Sequence, residues 1–335
     1  MAETHWNKLG AYLKETQILG SIQNTLYWDQ NTGMPKKGAS WRSEQLTYIA
    51  KVLHERNSSE VFSNLIQSAK NELSDIVRNS DNQLFIKDKE RNISLLLKEF
   101  NRERNLDPQL VESLAKAKSK GYESWQEAKE KSDFKIFLPF FEELIKLRIE
   151  EAKQISIQCS PWETLAQPFE PELNLKWLNK IFQPLKETIP GLIRAINKSQ
   201  KNHWNLSPES QKNLCSKLLD EFGRDKDLVV VGQSPHPFSI TLGPNDFRIT
   251  TRIVEGEPLS SFLATAHEWG HSIYEQGLPS QSHQWFAWPL GQATSMGIHE
   301  SQSLFWENRI VKSKSFSKRF FKKFVSAACS LNNYL

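Results

Sequence analysis

Over most of this chain apolar residues recur every three to four positions, with charged residues filling the faces between them. That period predicts amphipathic helices. Ser58 to Arg78 and Asp81 to Arg104 show it plainly, with Leu, Ile and Phe on one side and charges on the other. The same pattern runs through Ser40 to Arg56, Leu110 to Lys131, Phe137 to Ile157, Leu173 to Asn197 and Pro208 to Phe222. His5 to Trp28 reads either as a helix pair or as one long helix broken near Gly20. Asp107-Pro108 is a helix start, with Pro just inside it. Charge runs such as Lys87 to Arg91 and Lys129 to Lys131 read as solvated helix faces. One region departs from the helical period. Asp227 to Arg252 is rich in Val, Ile, Thr and Phe, and Leu228 to Val231, Phe238 to Leu242 and Phe247 to Ile253 read as short strands. Gly243-Pro244-Asn245-Asp246 is a turn between the last two.

After this small sheet the helical period returns, in the stretch that carries chemistry. Leu259, Phe262, Leu263 and Ala266 repeat at helical spacing, and Ile273 and Tyr274 continue the apolar side. Pro258 suits the first helical position and Gly277 the residue just past the end. Within it lies His267-Glu268-Trp269-Gly270-His271, an H-E-x-x-H pattern. Residues four apart stand one turn above each other, so both imidazoles can reach one metal ion. Glu268, beside the first His, can hold the water that a metal activates. The competing reading is a pair of ordinary helix histidines. A hydrolytic Zn2+ site needs three protein ligands and an open position, so a third ligand decides between them. The next His/Glu cluster is Gly297-Ile298-His299-Glu300-Ser301. Glu300 opens a second helical stretch, Ser301 to Val311, and a Glu ligand on a second packed helix is the gluzincin arrangement. The strand region just before could pair with an extended peptide by β-addition, or could be a structural hairpin; the residues favour neither.

Composition narrows the partners. The 335 residues suffice for one large or two medium domains, and 38% hydrophobic with 24% charged residues is an ordinary globular balance. A net charge of +4 makes no case for nucleic acid as an obligate partner. Cys159, Cys215 and Cys329 are widely spaced and lack metal-site spacing, which suits reduced thiols in a cytoplasm. Met1 to Lys14 has no apolar signal-peptide core, and the longest uncharged run, Leu278 to Ile298, contains two Pro with Gln and Ser, so no membrane span is expected.

Several separated blocks resemble the carboxypeptidase Taq family, the thermostable-type zinc metallocarboxypeptidases of bacteria and archaea. They are Tyr27 to Pro35 with Gly38, Arg42 and Gln45-Leu46; Trp125, Ala128, Phe134, Pro139 and Glu170-Pro171; His236-Pro237-Phe238; Asp246 to Arg252; His267 to His271 with Tyr274 to Leu278; and Gly297 to Ser303 with Trp306-Glu307-Asn308. The resemblance runs from about Tyr27 to Phe324. It implies a mainly α, groove-shaped peptidase fold with a small β-sheet next to the H-E-x-x-H helix, in one domain over 1–335. Residues 1–225 would form a helical cap and groove wall, and 226–335 the sheet and the zinc-binding helices. It implies one Zn2+ per chain on His267, His271 and Glu300, with Glu268 as general base. It implies removal of single C-terminal residues from peptides with a free C-terminus, with broad side-chain tolerance, in a homodimer. His236 and Arg248 carry over as substrate-side candidates, against a structural role for each.

The chain also departs from the family pattern. Leu304 stands where Arg is usual, and Val311-Lys312-Ser313 replaces Gly-Arg-Ser. Family members continue for roughly half as much again. The I-R-x-x-A-D and G-x-x-Q-D-x-H-W blocks found there, the first with the expected carboxylate-anchoring Arg, are not in these residues. From sequence the chain therefore reads as a C-terminally incomplete member, expected to be weakly active and prone to aggregate. A zinc endo- or oligopeptidase and a catalytically impaired remnant stand as the other readings.

Overall fold

The structure is a computed structural model and describes residues 4–77, 83–196 and 206–329. It is mainly helical, with one small sheet. The helices are α1 (His5–Thr32), α2 (Ala39–Ser58), α3 (Glu60–Val77), α4 (Gln83–Arg104), α5 (Pro108–Lys131), α6 (Leu138–Ile155), α7 (Pro161–Ala166), α8 (Leu175–Ala195) and α9 (Pro208–Glu221). Strands β1 (Val229–Gln233), β2 (Ser239–Gly243) and β3 (Asp246–Thr251) follow, then α10 (Pro258–Gln276) and α11 (Met296–Leu304). The last helix runs straight into a π-type turn, Phe305–Val311, before α12 (Lys314–Cys329). Among the described residues no helix is long and apolar enough to cross a membrane.

Local chemistry explains most boundaries. Thr4, Asp107, Ser160, Asn174, Ser207 and Ser295 each accept a backbone N–H of the first turn they precede, satisfying donors that a helix start leaves unpaired. Pro108 and Pro258 stand in first turns as expected. α1 is one continuous helix through Gly20; no neighbour within 4 Å requires a glycine there, and the chain does not break. The charge runs are solvated as their pattern suggests, Lys129 to Lys131 exposed throughout and Lys87 to Arg91 exposed apart from half-buried Asp88 and Lys89. Lys89 lies 4.4 Å over the Trp6 ring, and Lys129 donates to the Pro235 carbonyl at 3.1 Å.

α1 packs on α2, α3 and β2, and α5 packs on α2 and α6. Leu9, Leu13, Phe62, Ile66, Leu96 and Phe100 form one core, closed by Trp285 and Trp288 from the loop after α10. α9 lies before residue 225 yet packs on α10 and α12, where Leu214, Leu218, Phe262, Ala266 and Phe320 make a second core.

The sheet order is β1-β3-β2, with β1 parallel and β2 antiparallel to β3. The β2–β3 turn places Asn245 at φ 65°, a left-handed conformation that Asn tolerates. Phe247 and Ile249 face Trp269 of α10 and Leu219 of α9, while Arg248 lies on the other face, 5.5 Å over Trp28 of α1. β2 is an edge strand, but Asn24 of α1 donates to its Thr241 carbonyl at 3.0 Å.

Candidate metal centre

α10 forms where its pattern predicts. Phe262, Ala266 and Trp269 are buried against α9, β3 and the π-type turn, which turns the opposite face, with His267 and His271, toward α11. The two imidazoles lie one turn apart, ring centroids 4.9 Å. Gly277 sits just past the end of α10 as expected, but at φ −82°, so its position does not depend on a left-handed backbone.

The approach of α11 depends on Gly270. A Cβ on Gly270 would lie 2.5 Å from Ser303 Cα and 2.6 Å from the Gln302 carbonyl, both backbone atoms of α11. Only glycine lets the two helices come this close. At the start of α11, Ser295 accepts from Ile298 N–H, Met296 N–H donates to the Phe169 carbonyl at 2.7 Å, and Gly297 N–H donates to the Glu170 carboxylate at 2.9 Å. A Cβ on Gly297 would meet that carboxylate at 2.7 Å. The helix therefore begins at Met296 and not at Ser301. Glu300 sits in its second turn and does not open it; the Ser295 cap is the start signal that the apolar period alone passes over.

Glu300 arrives between the two histidines. One carboxylate oxygen is 3.6 Å from His267 Nε2 and the other 3.4 Å from His271 Nε2. One ligand atom from each of the three residues falls within 4.8 Å of the others. Glu268 is buried beside them. Burial, and after it the charge of Glu300, pushes its carboxyl up to about 8. Burial, then the neighbouring His299 and His267, holds His271 down at about 4, so it is neutral at neutral pH with a lone pair free. Two imidazole nitrogens and a carboxylate are the donor set of a hydrolytic zinc site. A buried acid made reluctant to ionise by a neighbouring carboxylate is what a dication would relieve. The residues fit a divalent cation.

A second ring of side chains surrounds this set. His267 Nδ1 is 3.1 Å from Glu307, whose other oxygen accepts from Lys312 at 2.7 Å. Burial opposes the charge on Glu307, but the hydrogen bonds from Lys312 and His267 outweigh it and hold its carboxyl below the usual range. His271 Nδ1 is 2.6 Å from His299 Nδ1, and His299 Nε2 is 2.8 Å from Glu275. Glu275 and His299 line a cleft of about 500 Å3 between α1, β2 and the loop after α10, with Gln17, Thr241 and Phe286 on its walls.

Glu275, Glu307 and Glu170 fall within the blocks that carry the family resemblance, but the sequence reading gives none of them a role, although spacing carries a signal for the first two. Glu275 continues the His267, His271 series by one further turn, and Glu307 lies two turns beyond Glu300. Glu170 has no helical spacing to the ligands, because its role arises only where two distant segments meet. His236 and Arg248 share no hydrogen bond or ion pair with the ligand set. His236 is exposed between β1 and β2, its Nδ1 2.7 Å from the Pro237 carbonyl. Arg248 donates through Nε and Nη2 to both oxygens of Asp246, at 2.9 and 3.0 Å.

The sequence profile described as carboxypeptidase Taq (M32) metallopeptidase matches residues 8–333. Thermostable carboxypeptidase 1 of Thermus thermophilus is 32% identical over 346 residues, an alignment covering 99% of this chain and 66% of that protein. Carboxypeptidase 1 of Bacillus subtilis is 32% identical over 309 residues, covering 90% of this chain and 59% of that protein. The crystal structure of BsuCP superposes with a TM-score of 0.88 at 30% identity, covering 97% of this chain and 64% of that one. The chain thus spans slightly less than two thirds of the length of these relatives.

Proposed function

Because the chain belongs to the carboxypeptidase Taq (M32) metallopeptidase family, we propose that it hydrolyses peptides from a free C-terminus, using one Zn2+ held by His267, His271 and Glu300. The observation that carries this reading is the convergence of those three ligand atoms within 4.8 Å, with a buried carboxyl, Glu268, beside them. When bound, the ion supplies Lewis-acid polarisation of a carbonyl oxygen and lowers the pKa of a water at its open position to about 7.

The chain's own residues supply the rest. Glu268 acts as general base: its carboxylate takes a proton from the attacking water and returns it to the departing amine. Burial first, and after it the negative charge of Glu300, raises the Glu268 proton affinity toward what that transfer needs. The buried side of α10 keeps bulk water from the back of the site. Substrate enters from the cleft that Thr241, Glu275 and His299 line. His236 is retained as a substrate-side group because it is exposed. Arg248 keeps only Nη1 free of Asp246. Broad tolerance for the leaving side chain, a homodimer and a reducing cytoplasmic setting complete the reading. The last is in keeping with the free thiols of exposed Cys159 and buried Cys215.

The test pairs peptides that differ only in a free or amidated C-terminus, with the zinc content of the purified chain measured alongside. The expected result is one zinc per chain, release of single residues from the free acid, and loss of turnover by about 10²–10⁴-fold in Glu268→Gln with zinc retained. Equal cleavage of the amidated peptide would replace the exopeptidase reading with an endo- or oligopeptidase one. Zinc bound without any turnover would remove the catalytic reading altogether.

A further inference from the structure

His271 has two ring nitrogens, and only one of them faces the ligand set. Nε2 stands 3.4 Å from Glu300, while Nδ1 lies 2.6 Å from Nδ1 of His299. The far nitrogen of His299, Nε2, is 2.8 Å from Glu275 Oε1, and the Thr241 hydroxyl donates to the other Glu275 oxygen at 3.4 Å. The His271 and His299 ring centroids are 4.5 Å apart with planes 30° from parallel, so the two imidazoles meet edge to edge through their Nδ1 atoms. Tyr274 stands edge-on to His299 at 5.3 Å. His299 is thus packed on one face, bonded at both nitrogens and unable to turn without breaking a contact.

The order of protons along this chain follows from its end. A carboxylate has no proton to donate and only accepts. The proton between His299 and Glu275 therefore sits on His299 Nε2. Where His299 carries only that proton, its Nδ1 offers a lone pair, and the 2.6 Å contact is then a hydrogen bond donated by His271 Nδ1. His271 Nε2 is left with its lone pair, on the side of Glu300. The reverse order would set a lone pair of His299 2.8 Å from a carboxylate oxygen.

We propose that His299, backed by Glu275, is a positioning residue that fixes the tautomer and ring plane in which His271 offers Nε2 to the metal. The proposal rests on the metal reading above. Glu307 serves His267 directly, through Nδ1 at 3.1 Å. The two ligand histidines are therefore oriented by unlike partners, one by a carboxylate and the other by a carboxylate acting through a second imidazole. Partners of this kind set ring orientation and basicity, and their loss commonly weakens metal affinity by about 10–100-fold.

The test begins with the metal-free, 15N-labelled 335-residue protein, whose two-bond ring correlations report which nitrogen of His271 is protonated. The expected result is Nδ1–H with a bare Nε2; a proton found on Nε2 overturns the proposal whatever the variants do. Zinc affinity, from competition with a chelator, should then fall about 10–100-fold in His299→Phe. It should largely recover in His299→Gln, whose amide offers one acceptor and one donor along the same line. The absorption spectrum of the Co2+ form should change in His299→Phe and return toward the parent's in His299→Gln. Unchanged zinc affinity in a folded His299→Phe overturns the positioning role. A parent protein that binds no zinc but shows the Nδ1–H tautomer would sink the metal reading and leave the proton order standing.

Discussion

α8 and α10 are both amphipathic helices of similar length, and their apolar periods look alike in sequence. Their surroundings could hardly differ more. In α8 no residue is buried, and Leu192 and Ile193 of its apolar face are 58% and 64% exposed. In α10, Trp269 is 1% exposed, and even Glu268 and Gly270 are covered. α10 has β3, α9, α11 and the π-type turn packed around it, whereas among the described residues no element packs extensively on α8. The comparison teaches that periodicity specifies which face of a helix should be covered but not what covers it. It also separates the two regions energetically, since substitutions should be costly on α10 and nearly silent on α8.

The largest effect should come from the packed side. Trp269→Ala removes a large side chain from a core shared with Leu219, Phe247 and Ile249. It should cost about 3–5 kcal/mol in denaturant unfolding. A loss below about 1 kcal/mol would mean that α10 is no better anchored than α8.

The second effect is a pH dependence of the metal-free protein. Its Glu268 carboxyl is pushed up to about 8, above the roughly 4.3 of an unfolded Glu. The folded state therefore holds this proton more tightly, and stability falls as pH rises between those values, by about 1.4 kcal/mol per unit. His271 acts oppositely and lower down: held at about 4, it removes stability as pH falls from about 6.5 toward that value. Between pH 6.5 and 8 Glu268→Gln should gain about 2 kcal/mol on the parent, because the difference between the two proteins isolates the Glu268 proton. Unfolding curves with chelator present would test it, and a constant difference between the two proteins would remove the buried-acid argument.

Gly270→Ala should act more narrowly. The added methyl meets α11 backbone at 2.5 Å and pushes Glu300 outward. Zinc affinity should fall by about tenfold, roughly 1.4 kcal/mol. Affinity within twofold of the parent's would show that α11 is not held by this contact.

The smallest effect is expected on α8. Ile189, already 43% exposed, should tolerate Glu with a change within about 0.5 kcal/mol. A cost above about 2 kcal/mol, or a mass in sedimentation that halves on the substitution, would show that the α8 face is covered in solution and would dissolve the contrast.

What the sequence determined by itself is local or carried by short motifs. Apolar period, Pro at first turns and Asp or Ser caps place the helices, because each acts within a turn or two of its own backbone. β-branched runs around Gly243 to Asp246 place three strands. H-E-x-x-H puts His267 and His271 on one face by helix geometry alone, and the separated motif blocks name the family. What only the tertiary structure decided is how those pieces meet. The parallel pairing of β1 with β3, the continuity of α1 and the bareness of α8 depend on partners far along the chain. So does the arrival of Glu300, which needs Gly270 to admit α11 and Glu170 to hold its start. The meeting of His271, His299 and Glu275 is decided the same way, because three side chains on two helices line up only once those helices pack together.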